Sequence, residues 1–176
     1  MTREDTKRLL MTVEAIYPNY KIRDLQITLD AWCEILADQD AQFIFAALKN
    51  YSRTDNTGFA PSVGQLVQGA YELRTAKVKQ LTPGEAWSMV YKALCRSSYY
   101  AEDEFEKFPE EIKSAVGSPA QLRAWATDPT FNEGVASSNF RKAYTNVCER
   151  KKQDALMPPE IRVMISSIGE VKSIEG

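Results

Sequence analysis

Apolar residues in this chain return at three- and four-residue spacing almost from end to end, and each run is closed by a proline, a glycine or a short polar break. Alternating runs bounded by hairpin turns are almost absent, so the apolar surface lies on helical stripes that can be buried only against one another. An all-α fold is expected. The punctuation is densest in GFAPSVGQLVQGAYEL, residues 58–73. Gly58 can take a positive φ, and Pro61 fixes its own φ while pushing Ala60 toward extended backbone, so the preceding helix ends there. Ser62 and Gln65 then have capping-box spacing, which opens a helix with Val63, Leu66, Ala70 and Leu73 on one stripe.

Three helices precede that one. The first spans roughly 3–16, with Leu9, Leu10, Val13 and Ile16 on one side, and stops at Tyr17-Pro18. The second, about 24–37, turns Leu25, Leu29, Trp32, Cys33 and Leu36 inward. The third follows the acidic break Asp38-Gln39-Asp40, which suits a helix N-terminus, and buries Phe43, Ile44, Ala47, Leu48 and Tyr51. These four helices make a small bundle over 1–75. Residues 76–82 are charged and weakly apolar and read as a linker, with tryptic cuts expected at Arg74, Lys77 or Lys79.

A second helical bundle is expected over 83–156. Thr82-Pro83-Gly84-Glu85 opens a helix with Trp87, Val90, Tyr91 and Leu94 on its stripe, ending by Ser97-Ser98. A short acidic helix over 101–107 follows, then one over 110–116 that Gly117 stops. Ser118-Pro119 launches a helix carrying Leu122, Trp125 and Ala126. The last and longest runs from about 130 or 132 to 155, with Val135, Phe140, Ala143, Tyr144 and Val147 as its apolar face. Trp87 and Trp125 are the expected core anchors. The whole reads as two small helical bundles joined by a short charged linker, with residues 157–176 as a C-terminal amphipathic segment and tail.

Composition narrows the chemistry. The 176 residues contain no histidine, which removes the usual general base and the commonest zinc ligand. Cys33, Cys95 and Cys148 lie far apart without CxxC spacing, and read as reduced, mostly buried small hydrophobes. No phosphate-cradling GxxxxGK[ST] loop occurs, and Ser97-Ser98 and Ser137-Ser138 have no base to activate them, so no enzymatic activity and no cofactor are expected. Glu102-Asp103-Glu104-Glu106 and Glu110-Glu111 read as a solvated acidic face rather than a cation site, since no glycine-hinged calcium loop accompanies them. The start MTREDTKRLL lacks the apolar core of a secretion signal, and no run reaches the ~18 apolar residues of a membrane helix, so a cytoplasmic protein without membrane contact is expected.

Two segments stand out as recognition elements. Arg141-Lys142 and Arg150-Lys151-Lys152, on the long helix and its end, are the nucleic-acid-binding candidates. A net charge of −2, from 22 basic and 24 acidic residues, demotes them to a weak contact, and cations near a helix C-terminus also complement its dipole. Beyond the stiff joint Pro158-Pro159, Ile161, Met164, Ile165 and Ile168 fall at i, i+3, i+4 and i+7, the spacing of an amphipathic helix that lies in a partner's hydrophobic groove. Such a short stripe needs a surface to be stable, and that surface is either this chain's own second bundle or a partner.

The pattern AIYPNY, then LDAWCEILADQDAQFIFAALKNY, then GFAPSVGQLVQGAYEL resembles the N-terminal domain of the replicative helicase loader/inhibitor family from phages of Gram-positive bacteria, over about residues 1–75. EAWSMV, VGSPAQLRAWA and SSNFRKAY look like the C-terminal part of longer phage proteins of that kind. The resemblance implies a non-enzymatic DNA-replication adaptor from a phage or prophage. It would bind the hexameric replicative helicase, inhibit it in solution and load it at the origin, through an origin-binding initiator, with helicase contacts toward the C-terminus. Shorter members have a poorly ordered C-terminal segment; this chain departs from them in the full helical pattern of 83–156. Two other readings stand beside it, a DNA-binding replication or regulatory protein and a phage structural or assembly protein.

Overall fold

The computed structural model describes residues 1–76 and 80–172, with side chains through Ser167. Nine helices and no strands are present among them: α1 (Arg3–Ile16), α2 (Leu25–Leu36), α3 (Ala41–Thr54), α4 (Val63–Thr75), α5 (Pro83–Glu106), α6 (Glu110–Val116), α7 (Pro119–Thr127), α8 (Glu133–Leu156) and α9 (Pro159–Lys172). The chain divides into two compact units, Met1–Val78 with Leu156–Gly176, and Lys79–Ala155. The expected linker falls partly on residues 77–79, outside the described residues.

In the first unit the caps do what their residue types require. Thr2 and Asp5 form a reciprocal capping box on α1, Asp24 accepts from the Ile27 N–H on α2, Asp40 accepts from the Gln42 N–H on α3, and Ser62 and Gln65 form a second box on α4. Gly58 has φ +72° and donates its N–H to the Asp55 carboxylate at 3.0 Å, which closes the turn before Pro61. Leu9, Val13, Tyr17, Leu36, Ile44, Ala47, Leu48, Leu66 and Ala70 form one buried cluster. Of its helix pairs, α3 and α4 approach closely because small residues face each other: a Cβ built on Gly69 would stand 3.1 Å from the Ala47 Cβ. Three residues expected inside lie outside: Ile16 (44% exposed), Leu25 (43%) and Leu73 (36%). Each sits at or near a helix end, where the stripe has already rotated past its neighbour. Thr6 takes a buried place instead, its hydroxyl satisfied by the Thr2 carbonyl at 3.0 Å.

The second unit is built on α5, which differs from the expected pair of helices. The chain does not break at Ser97-Ser98; it continues to Glu106 with one non-helical residue, Tyr100 (φ −119°, ψ 37°). Continuity is favoured by burial on both sides of the bend, since Ser97, Ala101 and Phe105 are all buried and the Ser97 hydroxyl returns to the Ala93 carbonyl at 2.7 Å. Trp87 is buried, with Phe140 at 5.5 Å and the half-buried Trp125 at 6.2 Å between ring centroids. The aromatic core continues through Phe140 to Tyr144, whose hydroxyl donates to the Leu81 carbonyl at 3.1 Å. Gly117 takes φ +92° at the end of α6, and Ser118 caps α7. Val135 and Tyr91, expected on apolar stripes facing in, are 57% and 44% exposed. The cysteines also differ from expectation: Cys95 is exposed, and Cys33 and Cys148 are only half-buried.

Candidate partner-docking surfaces

Pro159 stands at the first position of α9, where its missing N–H would have been unsatisfied anyway, and the helix ladder begins with the Arg162 N–H donating to the Pro158 carbonyl at 3.1 Å. The Ser166 and Ser167 hydroxyls donate back to the carbonyls of Arg162 and Met164. Every residue from Pro158 to Ser167 is exposed, including Ile161 (43%), Met164 (56%) and Ile165 (51%), so the expected stripe is present and uncovered. Val163, 70% exposed, lies off that stripe and widens the apolar surface. The side chain of Ile168 lies outside the described residues.

The basic candidates on α8 do not gather into one patch. Arg141 and Arg150 are about two and a half turns apart and so stand on opposite sides of the helix. Arg141, Lys142 and Arg150 are exposed, whereas the Lys151 ammonium pairs with Glu111 on α6. The Lys151 hydrogen bond holds the Glu111 carboxyl below its ordinary value of 4.5. Its acidic neighbours are likewise committed to cations: Glu102 to Arg123 at 2.7 Å, Glu104 to Lys107 at 2.7 Å, and Glu106 and Glu110 to Lys113 at 2.8 and 3.3 Å. The acidic run is therefore an ion-pair lattice fastening α5, α6, α7 and α8 rather than a plain solvated face.

Two exposed features were missed in the sequence. On α2, Ile27 (69%), Ala31 and Ile35 (54%) form a row at i, i+4 and i+8 on the side away from Leu29 and Leu36. On α5, Tyr99 (86%) and Tyr100 (61%) follow the exposed cations Lys92 and Arg96. Each row was legible as a second helical periodicity beneath the stronger inward one.

The residues of the first unit decide its kinship. Residues 1–67 match the family model for the N-terminal domain of the phage helicase loader/inhibitor. No curated protein matches the chain, and no solved structure does. Within the matched domain, the residues that carried the resemblance are structural. Tyr17 is buried beside Tyr51, with ring centroids 6.4 Å apart, Leu36 is fully buried, and Asp40 and Ser62 are helix caps. The matched domain thus specifies a scaffold, and its outward rows are what remain for recognition. No described helix is long and apolar enough to cross a membrane.

Proposed function

We propose that this chain is a non-enzymatic phage replication adaptor that binds a hexameric replicative helicase, holds it inactive in solution and delivers it to an initiator at the origin. The match of residues 1–67 to the loader/inhibitor-type domain carries this reading. It is supported by α9, whose apolar stripe of Ile161, Met164 and Ile165 is exposed at the end of a stiff Pro158-Pro159 joint. An unburied stripe of that length gains stability only when a partner supplies a groove. Met164 suits such a contact, because its flexible thioether adapts to an irregular surface.

The experiment is a pull-down of host and phage replicative helicases by the full chain and by an Ile161→Asp, Ile165→Asp variant. The expected result is helicase capture by the native chain, loss of capture by the variant, and an unchanged melting temperature, since neither side chain is in a core. Retained capture with a lowered melting temperature would sink the docking role. ATP hydrolysis that copurifies and scales with this protein would sink the non-enzymatic reading.

A further inference from the structure

Lys92, Arg96 and Tyr99 stand at i, i+4 and i+7 of α5 and therefore share one face. Beside them is an open groove of about 370 Å³ whose floor is Met89, Ala93 and Phe108 and whose rim carries Lys92, Arg96 and Lys107. Lys107 is paired with Glu104, so the uncompensated charge comes from Lys92 and Arg96, neither of which has a carboxylate within ion-pair distance among the described residues. At the end of this face the two tyrosines project into water, and the non-helical backbone at Tyr100 sets its ring off the regular helical row. Aromatic rings of this size are mostly held by a core or an interface.

We propose that this face binds a single-stranded polynucleotide, with bases stacking on Tyr99 and Tyr100 and phosphates beside Lys92 and Arg96. Stacking on exposed rings next to a short cationic track is the general chemistry of sequence-tolerant single-strand binding. A duplex presents no free base faces to those rings, and two cations are too few to hold it. An acidic peptide would satisfy the cations and leave both rings unused. The carboxylates that follow would repel phosphate, but Glu102, Glu104 and Glu106 are each neutralised by a cation within 2.8 Å, which leaves Asp103 as the remaining repulsive group. This site is separate from α9 and from the basic residues of α8, and the assay contains no helicase, so its outcome is independent of the adaptor reading.

The test is fluorescence anisotropy of the full chain with labelled oligothymidylate and oligouridylate of about 15 nucleotides, within the site sizes of single-strand binders. A duplex of the same length is the comparison. Expected are binding to the single strands at low salt and much weaker binding to the duplex. The relative strength of the two single strands then distinguishes DNA from RNA. A Tyr99→Ala, Tyr100→Ala variant should weaken binding about tenfold, while Tyr99→Phe, Tyr100→Phe retains it. Lys92→Glu, Arg96→Glu should lower the slope of log affinity against log salt by about 1.4, two phosphates at ~0.7 each. Circular dichroism melts of all variants should superpose, as these side chains are exposed. Absence of binding at low salt overturns the proposal, as does binding that survives both the tyrosine-to-alanine and the charge variants. Loss instead on Arg150→Glu, Lys151→Glu would move the site to α8. Displacement by oligoglutamate that the alanine variant leaves unchanged would make the groove an acidic-peptide site.

Discussion

Gly58 and Gly69 are both small for a reason, and the reasons differ. At Gly58 the space around a Cβ is empty and the constraint is φ +72°, so Gly58→Ala is expected to lower the stability of the first unit by about 1 kcal/mol through the backbone alone. At Gly69 the backbone is ordinary and the constraint is the Ala47 Cβ at 3.1 Å, so Gly69→Val should cost about 1–3 kcal/mol by forcing α3 and α4 apart. Chemical denaturation distinguishes them: Gly58→Asn, which tolerates positive φ, should recover much of the first loss, and no such rescue exists for the second. Tyr144 gives the corresponding residue-scale statement for pH. Burial, with the Cys148 thiol beside it, pushes its phenol up to about 12 from the ordinary 10. A group held protonated in the folded state contributes stability that is complete below pH 10 and lost as pH rises through 12. The melting temperature of the second unit should therefore fall across that window, and Tyr144→Phe should flatten the fall while costing about 1 kcal/mol at neutral pH for the orphaned Leu81 carbonyl.

At the scale of elements, caps were the most legible part of the fold. Thr82, Pro83 and Glu85 predict the start of α5, and the structure has the Thr82–Glu85 box in both directions with Pro83 at the first helical position. Thr82→Ala should lower the melting temperature of the second unit by roughly 4–8 °C, the equivalent of about 1 kcal/mol for a unit of this size. Ends were less legible than starts. The Ser97-Ser98 pair suggests a stop, because serine competes for backbone hydrogen bonds, but the packing of Ala101 and Phe105 keeps the chain helical to Glu106. Burial overrode the local preference. The same logic makes Phe140 the most sensitive position of α8: it lies between Trp87 and Tyr144, and Phe140→Ala should cost about 3–5 kcal/mol, enough to leave the second unit largely unfolded on urea titration.

For the whole molecule, two separate aromatic and aliphatic clusters imply two folding units, because each stripe is buried within its own set of helices. Fragments 1–76 and 80–157 are expected to be helical by circular dichroism and to melt cooperatively when expressed alone; a fragment that melts without a transition would mean that its core is completed elsewhere. The sequence by itself determined the helical class, the caps and the inward residues at mid-helix, because these depend on spacings of three and four residues along one chain. It also placed the α9 stripe, whose surface exposure only the structure could reveal. Tertiary structure decided the rest. Whether Ile16, Leu25 or Val135 is covered depends on where a neighbouring helix ends, and whether Glu111 and Lys151 meet depends on α6 and α8 lying side by side. It made an ion-pair lattice of a run that reads as a solvated acidic face, and it left Tyr99 and Tyr100 in water where spacing alone marked nothing. Local periodicity says which residues can share a face. Only the distances between helices say what that face meets.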